Sequence, residues 1–275
     1  MNIGVIGTGN LGRMLIDSFI KNRIFPPERI YIFNRTAEKA ERIKDVYPGI
    51  NLARSSRDVV EKGDWIFICV KPPDLPSLLG ETGTSFPENK LIISTLLVPY
   101  LEHLDTILKG KIIRIYPSIT QSTGYGVTLV TFGKRVADAE KQELLNCLNR
   151  MGKAFEIPEK YFRIAGDITS CGPAFMAFMT ASLARTAQKY GLDEELALEM
   201  AGETMLGTAL LIKEKQFSFQ QVIEQVATPG GCTAAGIEVL NRDLYPIIEN
   251  VFLATREKEN EVSNNVMKCL DTLNR

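Results

Sequence analysis

The sequence predicts an α/β protein in two parts: a doubly wound parallel sheet over residues 1–160, then an all-helical region over 161–275. Three observations carry that reading. Short apolar runs recur through the first half, separated by amphipathic stretches, the pattern of a parallel sheet covered on both faces. The first run passes straight into a glycine-rich turn that opens a helix. From about Arg163 onward, strand patterns nearly vanish.

The elements follow in order. "NIGVIGTGNLG" (residues 2–12) is a buried apolar strand running into Gly7-x-Gly9-x-x-Gly12, then a helix with Met14, Leu15, Phe19 and Ile20 on one face. "RIYIFNR" (29–35) reads as the second strand and "TAEKAERIKDVY" (36–47) as a polar-faced helix capped by Thr36. "WIFICV" (65–70), "KLIISTL" (90–96) and "KIIRIYP" (111–117) add three strands, and "VTLVTFG" (127–133) one more. In the second half, "PAFMAFMTASLARTAQKYG" (173–191) has proline at a helix start and glycine at its end. Further helices are expected over 193–215 and 217–227. A Pro-Gly-Gly break at 229–231 follows, and helical pattern resumes over 234–242 and 245–273. These helices carry apolar residues around much of their circumference, which implies a bundle or a subunit interface. A homodimer or higher homo-oligomer is therefore expected.

Composition narrows the function. Lys plus Arg (32) nearly balance Asp plus Glu (33), so no overall field favours nucleic acid or an anionic membrane. The single histidine, His103, excludes His-centred triads and multi-histidine metal sites, and no metal site is expected. Five cysteines (Cys69, Cys147, Cys171, Cys232 and Cys269) are scattered, odd in number and without a C-x-x-C pair, which suits a reducing compartment. No signal-like segment opens the chain and no apolar stretch is long enough to span a bilayer, so a cytoplasmic location is expected.

The glycine turn sits where a dinucleotide fingerprint requires it. Gly7 makes the tight turn, Gly9 lets backbone approach a pyrophosphate, and Gly12 lets the helix pack closely on the strand. The candidate cradle is the whole turn: Gly7, Thr8, Gly9, Asn10, Leu11 and Gly12, with unpaired N–H groups at the helix start facing the phosphates. An NAD site usually ends its second strand with Asp or Glu. Here that place holds Asn34, Arg35 and Thr36, an amide, a guanidinium and a hydroxyl suited to a 2′-phosphate. NADPH is favoured over NADH. The bland alternative is an exposed arginine beside a helix cap.

The Pro-Gly-Gly break is costly inside helical sequence, since Gly and Pro disfavour helix by roughly 1 and 3 kcal/mol relative to Ala. Such a break can expose backbone N–H groups to an anion, or simply turn the chain between two helices.

Here a resemblance becomes specific. In order and spacing "IGVIGTGNLG", "NRT", "FICVKP" (67–72), "SCGPAF" (170–175) and "TPGGCTAAGIEVLN" (228–241) resemble the pyrroline-5-carboxylate reductase family nearly end to end. The resemblance implies NADPH-dependent reduction of a cyclic imine to L-proline, with helices interlocking two subunits so that each site draws on both. It implies a substrate site from Ser170, Cys171, Gly172, Gly230, Gly231, Cys232 and Thr233, with the break binding the substrate carboxylate. It places Cys69, Val70, Lys71 and Pro72 along the NADP pocket and Ser118 on the nicotinamide side. The chemistry agrees with the residues: a cyclic imine can arrive protonated, so anchoring and a hydride donor suffice, and Thr233 offers a hydroxyl to the ring nitrogen or the carboxylate. Cys171 and Cys232 read as packing residues, because no histidine or basic partner accompanies them.

Three positions depart from the family pattern. "YPSITQS" (116–122) puts Ser118 where an asparagine is usual, Leu96 and Leu97 bring bulk where small residues are usual, and Ser56 stands where an asparagine often meets the adenosine ribose. "IYPSIT" and "GVTLVTFG" resemble the late-competence ComER-like subgroup of the family. A nucleotide-binding paralogue with lost or altered catalysis is therefore the second reading. An NADPH reductase of another imine or a β-hydroxyacid dehydrogenase is the third; the hydroxyacid option lacks a convincing catalytic lysine, because Lys189 lies too near the end of its helix.

Overall fold

The computed structural model describes residues 1–84 and 86–273, with side chains of the last helix described to residue 270. Alternating strands and helices fill the first part: β1 (Ile3–Ile6), α1 (Asn10–Lys21), β2 (Ile30–Phe33), α2 (Ala37–Val46), β3 (Asn51–Leu52), α3 (Ser56–Lys62), β4 (Trp65–Ile68), α4 (Leu75–Thr82), β5 (Leu91–Ser94), α5 (Leu101–Ile107), β6 (Lys111–Pro117), β7 (Val127–Phe132), α6 (Asp138–Asn149) and β8 (Lys153–Glu156). One sheet runs β3-β2-β1-β4-β5-β6-β7-β8. All its neighbours are parallel except β6 and β7, which pair antiparallel with Ile115 opposite Val130. The link 118–126 is too short for a crossover, which needs about a dozen residues or more, so β7 returns beside β6 in the reverse sense.

Period-two alternation builds the core. Val5, Phe67, Ile93 and Ile113 pack on one face with Leu15 and Phe19 of α1 and Leu144 and Leu148 of α6. Ile6, Ile66, Ile68 and Ile112 pack on the other with Val59, Leu78 and Leu104 of α3, α4 and α5. Each such fully buried side chain contributes roughly 1.5–3 kcal/mol.

The chain then continues through α7 (Phe162–Gly166), a π-helical turn (Asp167–Cys171), α8 (Gly172–Gln188), α9 (Glu194–Lys213), α10 (Phe219–Val226) and α11 (Cys232–Leu273). Three expectations are corrected here. Pro173 does not open the helical chain: α7 and the π-helical turn Asp167–Cys171 run into α8 ahead of it. Thr36 is the residue before α2, yet its side chain makes no cap bond. The caps of α9 and α10 do use side chains: Asp193 accepts the Leu196 N–H at 3.0 Å, and Ser218 with Gln221 forms a capping box. The two helical segments expected after the break form one 42-residue helix, α11, with Pro246 inside it.

Two units emerge: residues 1–171 with 256–275, and residues 172–255. In the first, Val266 and Leu270 near the end of α11 cover the same sheet face as α3, α4 and α5. In the second, α8 and α9 pair along an apolar groove of about 610 Å³ lined by Met176, Leu183, Met200 and Met205. No described helix is long and apolar enough to cross a membrane.

Candidate functional site

In the first unit, the turn after β1 is shaped glycine by glycine. Gly7 has φ +95°, and its N–H donates to the Phe33 carbonyl at 2.8 Å. A Cβ there would also stand 2.6 Å from the Cys69 carbonyl oxygen. A Cβ on Gly12 would overlap the Gly7 carbonyl oxygen, so α1 approaches the strand as closely as backbone permits. Gly9 is different: a Cβ there meets nothing within 4 Å, and the space above it is open. Gly9 caps α1 without a side-chain bond, and no acid stands in the first turn, which leaves N–H groups and the positive helix end facing outward. Asn10 is exposed in that turn, while Leu11 packs on the core. The Thr8 hydroxyl is buried with no partner among the described residues. An open face over Gly9 and an orphaned buried hydroxyl beside it fit a bound pyrophosphate.

The second strand end closes the same cleft. Asn34 works inward: its Oδ1 accepts the Thr8 N–H and its Nδ2 donates to the Thr36 carbonyl, both at 2.9 Å. It fixes the glycine turn against the start of α2. The Arg35 guanidinium extends outward and pairs with Asp74 at 2.8 Å. The cleft, about 240 Å³, is bounded by Gly7 and Gly9, by Asn34 to Thr36, by Lys39, and by Cys69 to Lys71. Pro72 opens the short turn that carries Asp74. Burial pushes the Cys69 thiol up to about 12, so it remains a neutral packing group. Sequence reasoning missed two carboxylates in this cleft. Asp74 arrives on the turn after β4, and Glu81 of α4 accepts from the buried Ser56 hydroxyl at 2.5 Å. Ordinary surface spacing gave no signal for either.

Further along the C-terminal strand ends lies a buried charge network that the sequence pattern did not mark. Arg114, on β6 and 1% exposed, donates to the Leu96 and Leu97 carbonyls and pairs with Glu159. The same Glu159 oxygen accepts the Leu101 N–H at 2.6 Å. The guanidinium lies 5.2 Å from the Phe162 ring centre and 5.6 Å from that of Tyr100. Burial pushes its pKa down, opposed by Glu159. Leu96 is itself buried in the core, so its bulk is turned away from solvent-accessible space. Ser118 is buried too: its N–H donates to Val127 at 3.0 Å and its hydroxyl meets that of Thr120 at 2.9 Å. Arg163 pairs with Asp167 and Glu259 and donates to the Cys171 sulfur at 3.5 Å, so Cys171 has a basic partner that the sequence did not lead one to expect, brought to it from two helical turns earlier. Beside them Tyr116 is pushed up to about 12, first by burial and then by Cys171. Ser170 donates to the Pro117 carbonyl at 3.3 Å, and Gly172 begins α8.

The remaining candidates lie in the second unit. The Gly231 N–H donates to the Thr228 carbonyl at 2.9 Å, closing a turn in which Gly230 takes φ +74°. A Cβ on Gly230 meets nothing within 4 Å, while one on Gly231 would stand 2.8 Å from the Thr228 hydroxyl. The absence of a side chain at 231 is thus required within the turn. Thr228 lies too far back to cap α11, which starts at Cys232 with no acid in its first turn. Cys232 and Thr233 are both exposed there. This is an acid-free helix start with an exposed hydroxyl on it.

Comparisons with known proteins bear on the family and the fold. A family model described as pyrroline-5-carboxylate reductase dimerisation matches residues 159–262, and one described as NADP oxidoreductase, coenzyme F420-dependent, matches residues 2–97. ComE operon protein 4 of Bacillus subtilis is 33% identical over 98% of both chains. A pyrroline-5-carboxylate reductase of Staphylococcus saprophyticus is 24% identical over 96% of this chain and 98% of its own. Among solved structures, Plasmodium falciparum pyrroline carboxylate reductase with NADP bound superposes with a TM-score of 0.81 at 24% identity, covering 96% and 98% of the two chains. The Streptococcus pyogenes 1-pyrroline-5-carboxylate reductase gives 0.82 at 24% identity, covering 95% and 98%. These two likenesses are of fold.

Proposed function

The chain belongs to the pyrroline-5-carboxylate reductase family of NADP-binding oxidoreductases, and from that premise we propose that it reduces 1-pyrroline-5-carboxylate to L-proline with NADPH. The observation that carries the reading is the turn at Thr228–Gly231, which opens an exposed helix start without acid and with Thr233 on it. Backbone N–H groups there suit a carboxylate, and the Thr233 hydroxyl suits the ring nitrogen or a carboxylate oxygen. The open backbone at Gly9, with the Thr8 hydroxyl beside it, would hold the pyrophosphate, Gly7 and Gly12 shape the turn that presents them, and Arg35 with Lys39 and Lys71 would supply positive charge to the adenosine end. When bound, NADPH supplies the hydride for the imine carbon, while the ring nitrogen keeps its proton and becomes a secondary amine. No strong acid among the protein's side chains is needed, in keeping with the single histidine.

The protein works as a homodimer in this reading. Large apolar side chains of α8 and α9 stand open in the single chain, Leu183 of α8 at 70% and Met200 of α9 at 53% exposed along the same groove, the kind of apolar surface that a partner subunit covers.

A second reading is favoured by the 33% identity to ComE operon protein 4 against 24% for the reductases: a dinucleotide-binding paralogue that does not turn over this imine. NADPH oxidation with pyrroline-5-carboxylate, run beside a titration of NADPH binding, separates them. Binding with turnover supports the reductase, and binding without turnover supports the paralogue.

A further inference from the structure

Asp74 has no role in the reading above, yet it occupies a decisive place. We infer that Asp74 sets how strongly the cleft prefers NADPH to NADH, by competing with the adenosine 2′-phosphate for Arg35. The inference rests on the proposed binding of NADP in this cleft.

Asp74 Oδ1 accepts from Arg35 Nη1 at 2.8 Å, and both residues line the same cleft. Asp74 stands at the start of α4, where an aspartate commonly caps the helix, but its carboxylate makes no cap bond. It reaches across to Arg35 instead. Its backbone is held by the short turn Pro72–Asp74, with its own N–H donating to the Lys71 carbonyl at 2.9 Å. The carboxylate side chain is 33% exposed and the guanidinium 79% exposed. The acid is thus the more fixed partner and the arginine the freer one.

The chemistry follows from that asymmetry. A carboxylate beside the second strand end favours a ribose hydroxyl, which can donate to it, and repels a 2′-phosphate. The strand end itself, Asn34 to Thr36, has no acid, but the fold returns one from 39 positions further along the chain. A phosphate arriving at Arg35 meets a guanidinium with one arm already engaged, so the two-armed grip is shared or must be broken. A ribose 2′-hydroxyl meets no such opposition. Asp74 therefore narrows the gap between the two cofactors that Arg35 alone would open.

The test measures dissociation constants of NADP+ and NAD+ by calorimetry for the wild type, Asp74→Asn, Arg35→Ala and the double variant. Asp74→Asn should tighten NADP+ about threefold to tenfold, the scale of a partly exposed ion pair plus a removed like charge. NAD+ should stay within about twofold. In the Arg35→Ala background the same substitution should change NADP+ much less, because no guanidinium remains to be freed. Unchanged or weaker NADP+ binding by Asp74→Asn overturns the inference, since Asp74 would then be idle or would orient Arg35. Equal tightening of both cofactors, or an effect undiminished without Arg35, also overturns it. Binding of neither dinucleotide by the wild type is a different failure: it removes the reading of the cleft, and this inference with it.

Discussion

The Tyr100 hydroxyl donates to Glu259 Oε1 at 3.1 Å, tying the residue before α5 to the last part of α11. Glu259 is 4% exposed and faces Arg163, Arg114, Tyr100 and Asp167. Burial is the largest influence and pushes its pKa up, while Tyr100 and the two arginines pull it down without reversing the shift. A raised folded pKa means that the fold favours the neutral acid. Its contribution is present below the ordinary value of 4.5 and is lost as pH rises through the folded value. Glu259→Gln keeps an acceptor for Tyr100 and stays neutral. Its stability relative to wild type should therefore improve between pH 4 and pH 7.5, as read by urea unfolding at both. A variant that loses ground as pH rises would show that Arg163 and Arg114 outweigh burial.

Gly9 and Gly12 should separate binding from folding. A Cβ on Gly12 overlaps the Gly7 carbonyl, backbone that cannot move aside, so Gly12→Val should lower the melting temperature severely or prevent folding. Gly9→Val enters open space and should melt within a few degrees of wild type. It puts bulk where the pyrophosphate approaches, and NADPH binding should fall by at least about tenfold, or 1.4 kcal/mol. NADPH binding by Gly9→Val at wild-type strength would place the phosphates elsewhere.

The homodimer has its own test. Leu183 lies in the α8–α9 groove and is 70% exposed in the single chain. Leu183→Glu should leave the fold of one chain intact, because an exposed charge there costs little. At an apolar interface the same charge is unpaired and buried, which is strongly unfavourable. Sedimentation at micromolar concentration should give a dimer for wild type and a monomer for the variant. A monomeric wild type would remove the shared-subunit reading.

Much of the sheet was legible because buried strands are written as apolar runs: Trp65–Ile68 and Leu91–Ser94 each lie fully inside. The edges were not. Asn51–Leu52 is two residues long, and Lys153–Glu156 is largely exposed, so neither has a run to read. The reversed sense of Val127–Phe132 depends on the length of its connection, which an apolar pattern does not express. Around the cleft, the glycines were readable because their spacing is fixed by backbone contacts. Asp74 and Arg114 were not, since an acid after a proline pair and an arginine within a strand acquire meaning only when folding brings Arg35 or Glu159 to them.

The Pro-Gly-Gly turn gives the sharpest test of the proposed substrate site. Thr233 stands exposed in the first turn of α11, so replacing it removes no core contact, and alanine is the best helix former. Thr233→Ala should fold and bind NADPH as wild type does. If its hydroxyl holds the charged substrate, the lost bond is worth roughly 1.5–3 kcal/mol, or about tenfold to a hundredfold in kcat/KM. Gly231→Ala must be read differently, because its Cβ would press on Thr228 within the turn and shift the helix start. It should lower kcat/KM together with thermal stability, whereas Thr233→Ala lowers kcat/KM alone. Serine at 233 keeps the hydroxyl and should restore most of the loss. Wild-type kcat/KM for pyrroline-5-carboxylate in Thr233→Ala would mean that the hydroxyl does not touch the substrate and that the turn serves only to join α10 to α11.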